Sequence, residues 1–257
     1  IPTMGALHRG HLSLVEKSKA LCKVSVVSVF VNPSQFSPDE DLDSYPKTLN
    51  DDIHHLESMD VDMLFLPTEE EMYVNVQDVN IPPSGLFEKL EGESRPHFFY
   101  GVTKIVSKLF NVIKPTHAFF GEKDAQQLII IQEMISKMNY KIDLVSCPII
   151  RDENGLALSS RNQYLSLQEQ REASHFSLSL LKVKKAIKDG EFNSFVLKNK
   201  FESNLSKSLK ITLDYISIAC KKTLKEVDVV KGGVLISAAV FYNDVRLIDN
   251  FSYSSST

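Results

Sequence analysis

The stretch PTMGALHRGH, residues 2–11, precedes an amphipathic run and determines how the first part of the chain is interpreted. His8 and His11 are separated by two residues, so a helix beginning near Gly10 would carry both side chains on one face. The first turn of such a helix has unpaired amides and the positive end of the helix dipole. We therefore predict a loop and helix N-terminus that bind phosphate groups, with Gly5 and Gly10 allowing a base or ribose to approach the backbone.

An HxxH pair alone is more often a surface feature or a buried histidine with a partner, so its context matters. Residues 23–31, KVSVVSVFV, form a nearly continuous apolar run, which is typical of a strand buried on both faces of a parallel sheet. Asn32 and Gln35 follow this strand, at the edge where such sheets bind ligands, although a simple turn is an alternative. Asp51 and Asp52 are predicted in the first turn of the next helix, where the helix dipole stabilises carboxylates.

The order of the predicted elements indicates an α/β protein with two domains. Strands and helices alternate up to about residue 150, which predicts a Rossmann-like, doubly wound parallel sheet over residues 1–149 whose first strand is truncated. Residues 68–100 are predicted to be irregular and to form a functional flap. Two amphipathic helices and three strands follow, so residues 150–257 are predicted to form a smaller α+β domain with antiparallel strands and a hairpin turn at Asn243-Asp244.

Composition excludes several classes of protein. The net charge is −4, from 29 basic and 33 acidic residues, which argues against binding to nucleic acid or to a membrane surface. The three cysteines, Cys22, Cys147 and Cys220, have no metal-ligand spacing and favour a reducing, cytoplasmic location. The sequence contains no apolar run of membrane-spanning length and no recognisable signal peptide.

Two further clusters carry groups that suit phosphate chemistry. Residues 122–124, EKD, form a charged turn after a predicted strand, and Lys123 offers a mobile positive charge. Residues 159–161, SSR, combine two hydroxyl donors with a permanent cation. Each cluster alone is typical of a solvated surface, and neither of the common glycine-rich phosphate loops is present. Together with the imidazoles as further cationic groups, they would stabilise the charge that develops on a triphosphate during displacement.

Six segments, taken together and in this order, resemble the pantoate–β-alanine ligase (AMP-forming) family of the HxxH nucleotidyltransferase superfamily. The segments are PTMGALHRGH, VFVNPSQF, YPKT, FFGEKDAQQL, GLALSSRNQYLS and VRLIDN. The resemblance implies that pantoate attacks ATP to give pantoyl adenylate and pyrophosphate. The β-alanine amine then displaces AMP to give pantothenate. It also implies a homodimer, and Mg²⁺ bound mainly through phosphate oxygens, with protein ligands unknown.

The same resemblance implies roles for individual residues. The catalytic residues would be His8, His11 and Lys123, with His11 as proton donor. Gln35 and Gln127 would bind pantoate or β-alanine, and the C-terminal domain would act as a lid, with closure of residues 158–162 excluding water. The implied ATP-binding residues are Met4, His8, His11, Gly121, Glu122, Lys123, Asp124, Ile150, Leu158, Ser159, Ser160 and Arg161.

The sequence departs from the family at Phe98-Phe99, where the family often carries His-Phe, and the neighbouring His97 is left without a role. Arg95 and Glu91 are candidates for flap or metal contacts. Two other functions remain open at this point. One is a nucleotidylyltransferase that stops after nucleotidyl transfer, and the other is an inactive nucleotide-binding or scaffold protein.

Overall fold

The computed structural model describes residues 1–38, 40–75, 78, 81–82, 84–206, 208 and 210–254. Contacts divide the chain into two compact units, Ile1–Ile149 and Ile150–Thr257. The division lies where the alternation of strands and helices ends in the sequence. Within the described residues, no helix is both long enough and apolar enough to cross a membrane.

Parallel strands form the centre of the first unit, as the sequence predicts. They are β1 (Pro2–Thr3), β2 (Val26–Val29), β3 (Met63–Phe65), β4 (His117–Gly121) and β5 (Asp143–Cys147). Their hydrogen bonds make two sheets, of order β1-β2-β3 and β4-β5, where the sequence predicts one. β1 has two residues, and its Pro2 has no amide hydrogen, so this strand has little capacity to bond neighbours on both sides.

Helices lie between these strands along the chain. They are α1 (Arg9–Leu21), α2 (Leu49–Ser58), α3 (Glu91–Ser94), α4 (Phe98–Ile113) and α5 (Ala125–Lys137). In α4 the apolar residues recur at helical spacing and are buried, for example Val102, Ile105 and Leu109. The helix ends at Ile113, and its C-cap Lys114 adopts a left-handed conformation just before Pro115.

The segment 68–100 is more ordered than the sequence suggests, so the prediction of an irregular segment is wrong in part. A π-helical turn covers Glu71–Asn75, α3 lies within the segment, and α4 already begins at Phe98. The buried Gln126 side chain of α5 donates to the carbonyls of Leu86 and Lys89, at 2.9 and 2.6 Å. This amide therefore fixes part of the predicted flap to a helix. Residues 76, 77, 79, 80 and 83 lie outside the described residues.

The second unit confirms the predicted α+β arrangement. Its elements are α6 (Leu167–Lys188), α7 (Ser194–Leu205), β6 (Ile211–Cys220), β7 (Val234–Tyr242) and β8 (Val245–Tyr253). The strands form one antiparallel sheet of order β6-β7-β8, and both helices pack on it through buried residues such as Phe176, Phe201 and Ile236. Asn243 has a φ of 48°, as expected for a tight hairpin turn.

Candidate active site

The two histidines cap the helix that follows them. His8 is the N-cap of α1, and its Nδ1 accepts a hydrogen bond from the Gly10 amide at 3.1 Å. The Nδ1 of His11 accepts from the His8 amide at 3.4 Å. Because each Nδ1 accepts a hydrogen bond from a backbone amide, the proton of each neutral ring must lie on Nε2. The ring centroids are 4.1 Å apart, so the capping box presents two neighbouring Nε2–H donors.

Both imidazoles are neutral at pH 7. The pKa of His8 is lowered to about 3, mainly by burial and in addition by coulombic repulsion from His11 and Lys123, which Asp124 partly opposes. Burial and Lys123 lower the pKa of His11 to about 4. The interpretation of the histidines as cationic groups is therefore wrong. They are neutral hydrogen-bond donors, and Lys123 supplies the positive charge near them.

We expect this burial to make the protein sensitive to acid. The unfolded histidines take up protons near pH 6.5, whereas the folded ones do so only near pH 3–4, so the free energy of unfolding falls as the pH drops below 6.5. Between pH 7 and pH 5 the free energy of unfolding of the wild type should fall by at least about 2 kcal/mol more than that of a His8→Asn/His11→Asn double variant. Urea denaturation at both pH values measures the difference. An equal loss in the two proteins would contradict the lowered pKa values.

The loop before His8 is held by a carboxylate from α2. The Asp52 side chain is 1% exposed. Its Oδ2 accepts from the Ala6 amide at 2.9 Å, and its Oδ1 from the Leu7 amide at 2.7 Å. The local pattern assigns Asp52 only a role in the helix dipole, because the loop it binds lies 45 residues earlier. This missed residue fixes the backbone that leads into the N-cap.

The same contact changes the explanation for Gly5. Its φ is +85°, and a Cβ there would lie 3.0 Å from both Asp52 Oδ2 and Val29 Cγ1. Glycine is therefore required because the loop packs closely against Asp52 and Val29. The sequence alone instead explains this glycine by the approach of a nucleotide. Gly10 lies in the first turn of α1 and donates its amide to His8.

Gln35 lies beside Met4 at the carboxyl end of β2. Its Nε2 contacts Met4 Sδ at 3.0 Å, and its Oε1 accepts from Asn32 Nδ2 at 2.9 Å. Asn32 is buried, and its Nδ2 also donates to the Gly101 carbonyl at 3.2 Å. Its Oδ1 accepts from Ser34 and Tyr73. Asn32 thus orients Gln35 and fixes the turn, which favours the structural alternative for Asn32.

The charged turn after β4 forms a short 3-10 helix, Glu122–Asp124, that leads directly into α5. Gly121 ends β4, and a Cβ at this position would meet no atom within 4 Å, so the backbone there faces open space. Gln127 lies in the first turn of α5 and is half-buried. The first unit therefore brings His8, His11, Lys123 and Asp124 close enough to interact electrostatically.

The remaining candidates of the flap make contacts within the first unit. The Arg95 guanidinium binds both carboxylate oxygens of Glu40, at 2.6 and 2.5 Å, and lies 3.8 Å from the centre of the Phe98 ring. His97 is exposed and is the N-cap residue of α4, but its side chain makes no capping hydrogen bond. Glu91 is buried, and its amide donates to Gln126. Among the residues that the structure describes, no group of three histidine, cysteine, aspartate or glutamate side chains is arranged to hold a metal ion.

The second unit contains the Ser-Ser-Arg segment. The Leu158 amide donates to the Ile150 carbonyl at 2.9 Å, which closes a hairpin just before the segment. Ser159 caps the 3-10 helix Ser160–Tyr164, and its Oγ accepts from the Arg161 amide at 3.3 Å. Ser160 is 6% exposed, and Arg161 is half-buried.

Comparison with known proteins gives a consistent result over nearly the whole chain. The family model described as "Pantoate-beta-alanine ligase" matches residues 1–252. The pantothenate synthetase of Acetivibrio thermocellus is 43% identical over 97% of this chain and 89% of its own. The crystal structure of pantothenate synthetase from Thermus thermophilus has a TM-score of 0.93 at 38% identity, and covers 98% of this chain and 91% of that one. A Francisella tularensis pantoate-beta-alanine ligase, solved with "Beta-gamma ATP and Beta-alanine", has a TM-score of 0.77 at 36% identity, with 98% and 87% coverage.

Proposed function

The chain belongs to the pantoate–β-alanine ligase family, and on this premise we propose how its own residues carry out the ATP-dependent joining of pantoate to β-alanine. The reaction has two steps. The pantoate carboxylate attacks the α-phosphorus of ATP, which forms pantoyl adenylate and releases pyrophosphate. The β-alanine amine then attacks the acyl carbon, which forms pantothenate and releases AMP.

In the first step the first unit would stabilise the leaving pyrophosphate. The Nε2–H groups of His8 and His11 donate to phosphate oxygens, and Lys123 neutralises the charge that develops as the bond to the α-phosphorus breaks. Bound phosphate would raise the pKa of both histidines, so that His11 takes up a proton from solvent when the nucleotide binds and transfers it to the leaving oxygen as the charge there grows.

Gln35 and Gln127 would bind pantoate through its hydroxyl and carboxylate groups. Met4 and the open backbone at Gly121 would line the adenosine, together with Glu122, Asp124, Ile150 and Leu158. In the second unit, the residues that would bind the β- and γ-phosphates are Ser159, Ser160 and Arg161. This unit would act as a lid that excludes water from the mixed anhydride.

Mg²⁺ fits this scheme as an ion carried by the nucleotide. The histidine Nε2–H groups and the Lys123 ammonium are donors, which suit phosphate oxygens and cannot act as ligands of a cation. Asp124 is a carboxylate whose charge acts on His8. The ion would neutralise phosphate charge during the first step. The observation that carries the proposal is the capping box that aims two Nε2–H donors beside Lys123.

The decisive experiment is AMP release measured with each substrate omitted in turn. We expect AMP only when ATP, pantoate and β-alanine are all present, and pantothenate in equal amount. Pyrophosphate release that requires pantoate but is not followed by β-alanine-dependent AMP would instead favour a nucleotidylyltransferase that stops after the first step. No turnover under either condition would favour an inactive binding protein.

We also propose that the protein is a cytoplasmic homodimer. The three cysteines are all free in the structure, which agrees with a reducing compartment. Sedimentation equilibrium tests the dimer, because a monomer mass of 29.0 kDa at all concentrations would contradict it.

A further inference from the structure

An ion pair between a partly exposed arginine and a buried carboxylate lies at the base of the hairpin that precedes the Ser-Ser-Arg segment. Arg151 donates from Nη1 and Nη2 to the two carboxylate oxygens of Asp249 in β8, at 2.6 and 2.8 Å. The Asp249 side chain is fully buried. It accepts two further hydrogen bonds, from Ser177 Oγ at 2.7 Å and from the Asn250 amide at 2.8 Å. A buried carboxylate with this many donors holds its partner in one geometry.

The ion pair is connected to the segment through the hairpin backbone. Arg151 Nη1 also donates to the Gly155 carbonyl at 3.0 Å, and Arg151 pairs with Ala157 in an antiparallel bridge. The Ala157 carbonyl in turn accepts from the buried Asn162 side chain at 3.2 Å. Residues 158–161 thus follow a hairpin that Arg151 fixes to β8. At the other end of the segment, Asn162 binds back to the same hairpin at Ala157.

We propose that Arg151 and Asp249 are positioning residues for the phosphate-binding segment Leu158–Arg161. The pair fixes the hairpin on the β8 strand, so that the Ser159 and Ser160 hydroxyls and the Arg161 guanidinium start from one defined position. This inference rests on the proposed function, because it assigns the segment to the β- and γ-phosphates. In this proposal neither residue contacts the nucleotide, and their effect on the reaction passes through the segment.

Arg151→Lys is the informative change, because it keeps the positive charge but loses the two parallel hydrogen bonds and the bond to Gly155. We expect kcat/KM for ATP in pantoate-dependent pyrophosphate exchange to fall about tenfold. The reaction of prepared pantoyl adenylate with β-alanine should stay within about twofold of wild type, since that step has no β- or γ-phosphate to bind. The matched control is Asp214→Asn, which breaks the Arg246–Asp214 ion pair of the same sheet and should leave exchange unchanged.

A double-mutant cycle separates positioning from a general loss of structure. In an Arg161→Ala background, Arg151→Lys should lower exchange by less than about twofold further. Additive losses, or an equal loss in the β-alanine step, would overturn the positioning role, as would normal exchange in Arg151→Lys. If wild type itself gave no pantoate-dependent exchange, the proposed function would fail first. If the wild type catalyses exchange and Arg161→Ala does so at the same rate, the phosphate-binding role of the segment and the positioning role of Arg151 both fail, while the proposed function stands.

Discussion

Replacing Lys123 by alanine is expected to slow pantoate-dependent pyrophosphate exchange by a hundredfold or more, which corresponds to about 2.7 kcal/mol of transition-state stabilisation. The structure gives the reason. Both histidines are neutral, so Lys123 supplies the positive charge beside them that can offset the charge on the leaving pyrophosphate. The control is Lys141→Ala, which removes an exposed lysine of the same unit that donates to the Asn139 side chain. Near-normal exchange in Lys123→Ala would reject the role of this lysine.

His11→Ala is expected to lose as much exchange activity as Lys123→Ala, but this substitution removes two interactions at once. Alanine would remove both the Nε2–H donor and the acceptor that binds the His8 amide. His11→Asn separates the two effects, because its Oδ1 can still accept from the backbone while no donor takes the place of Nε2–H. A hundredfold loss in both variants would indicate that the donor matters, whereas near-normal exchange in His11→Asn would reduce His11 to a helix cap.

Asp52→Ala is expected to lower the free energy of unfolding by about 3 kcal/mol, because it removes the carboxylate that accepts hydrogen bonds from the buried Ala6 and Leu7 amides. Ala6 has a φ of 50°, a strained conformation that the two hydrogen bonds hold in place. Without them the loop should relax and displace His8, the N-cap that follows directly. We therefore expect exchange activity to fall together with stability.

Asp51→Ala is the matched control, since it removes a neighbouring carboxylate that is exposed in the same helical turn. Urea denaturation should show a change of less than about 0.5 kcal/mol for this variant. Amide hydrogen exchange at Ala6 and Leu7 gives a direct reading, because both amides should lose protection in Asp52→Ala only. Protection that is unchanged in Asp52→Ala would show that other groups hold the loop.

Local sequence signals locate most of the elements that build the site. Helix α4, strand β2 and the final hairpin can each be recognised from one continuous stretch of sequence, by its apolar period, its β-branched residues or its turn. Contacts between distant segments leave no such pattern. Gln126 binding residues 86 and 89, and Arg151 binding Asp249, join parts of the chain that are 37 to 98 residues apart. For this reason the sequence predicts an irregular flap and assigns no role to Asp249 within the VRLIDN segment.

By itself, the sequence determined the α/β and α+β fold classes, the family, and the residue types that suit phosphate chemistry, because these depend on local period and on short motifs. Only the tertiary structure decided the protonation of the histidines, since burial and the nearby Lys123 set their pKa values. It also showed that Asn32, Gly5 and Asp52 make packing contacts or hydrogen bonds that hold the backbone of the candidate site. Hydrogen bonds between residues far apart in the chain are made only when the chain has folded, and no spacing in the sequence records them.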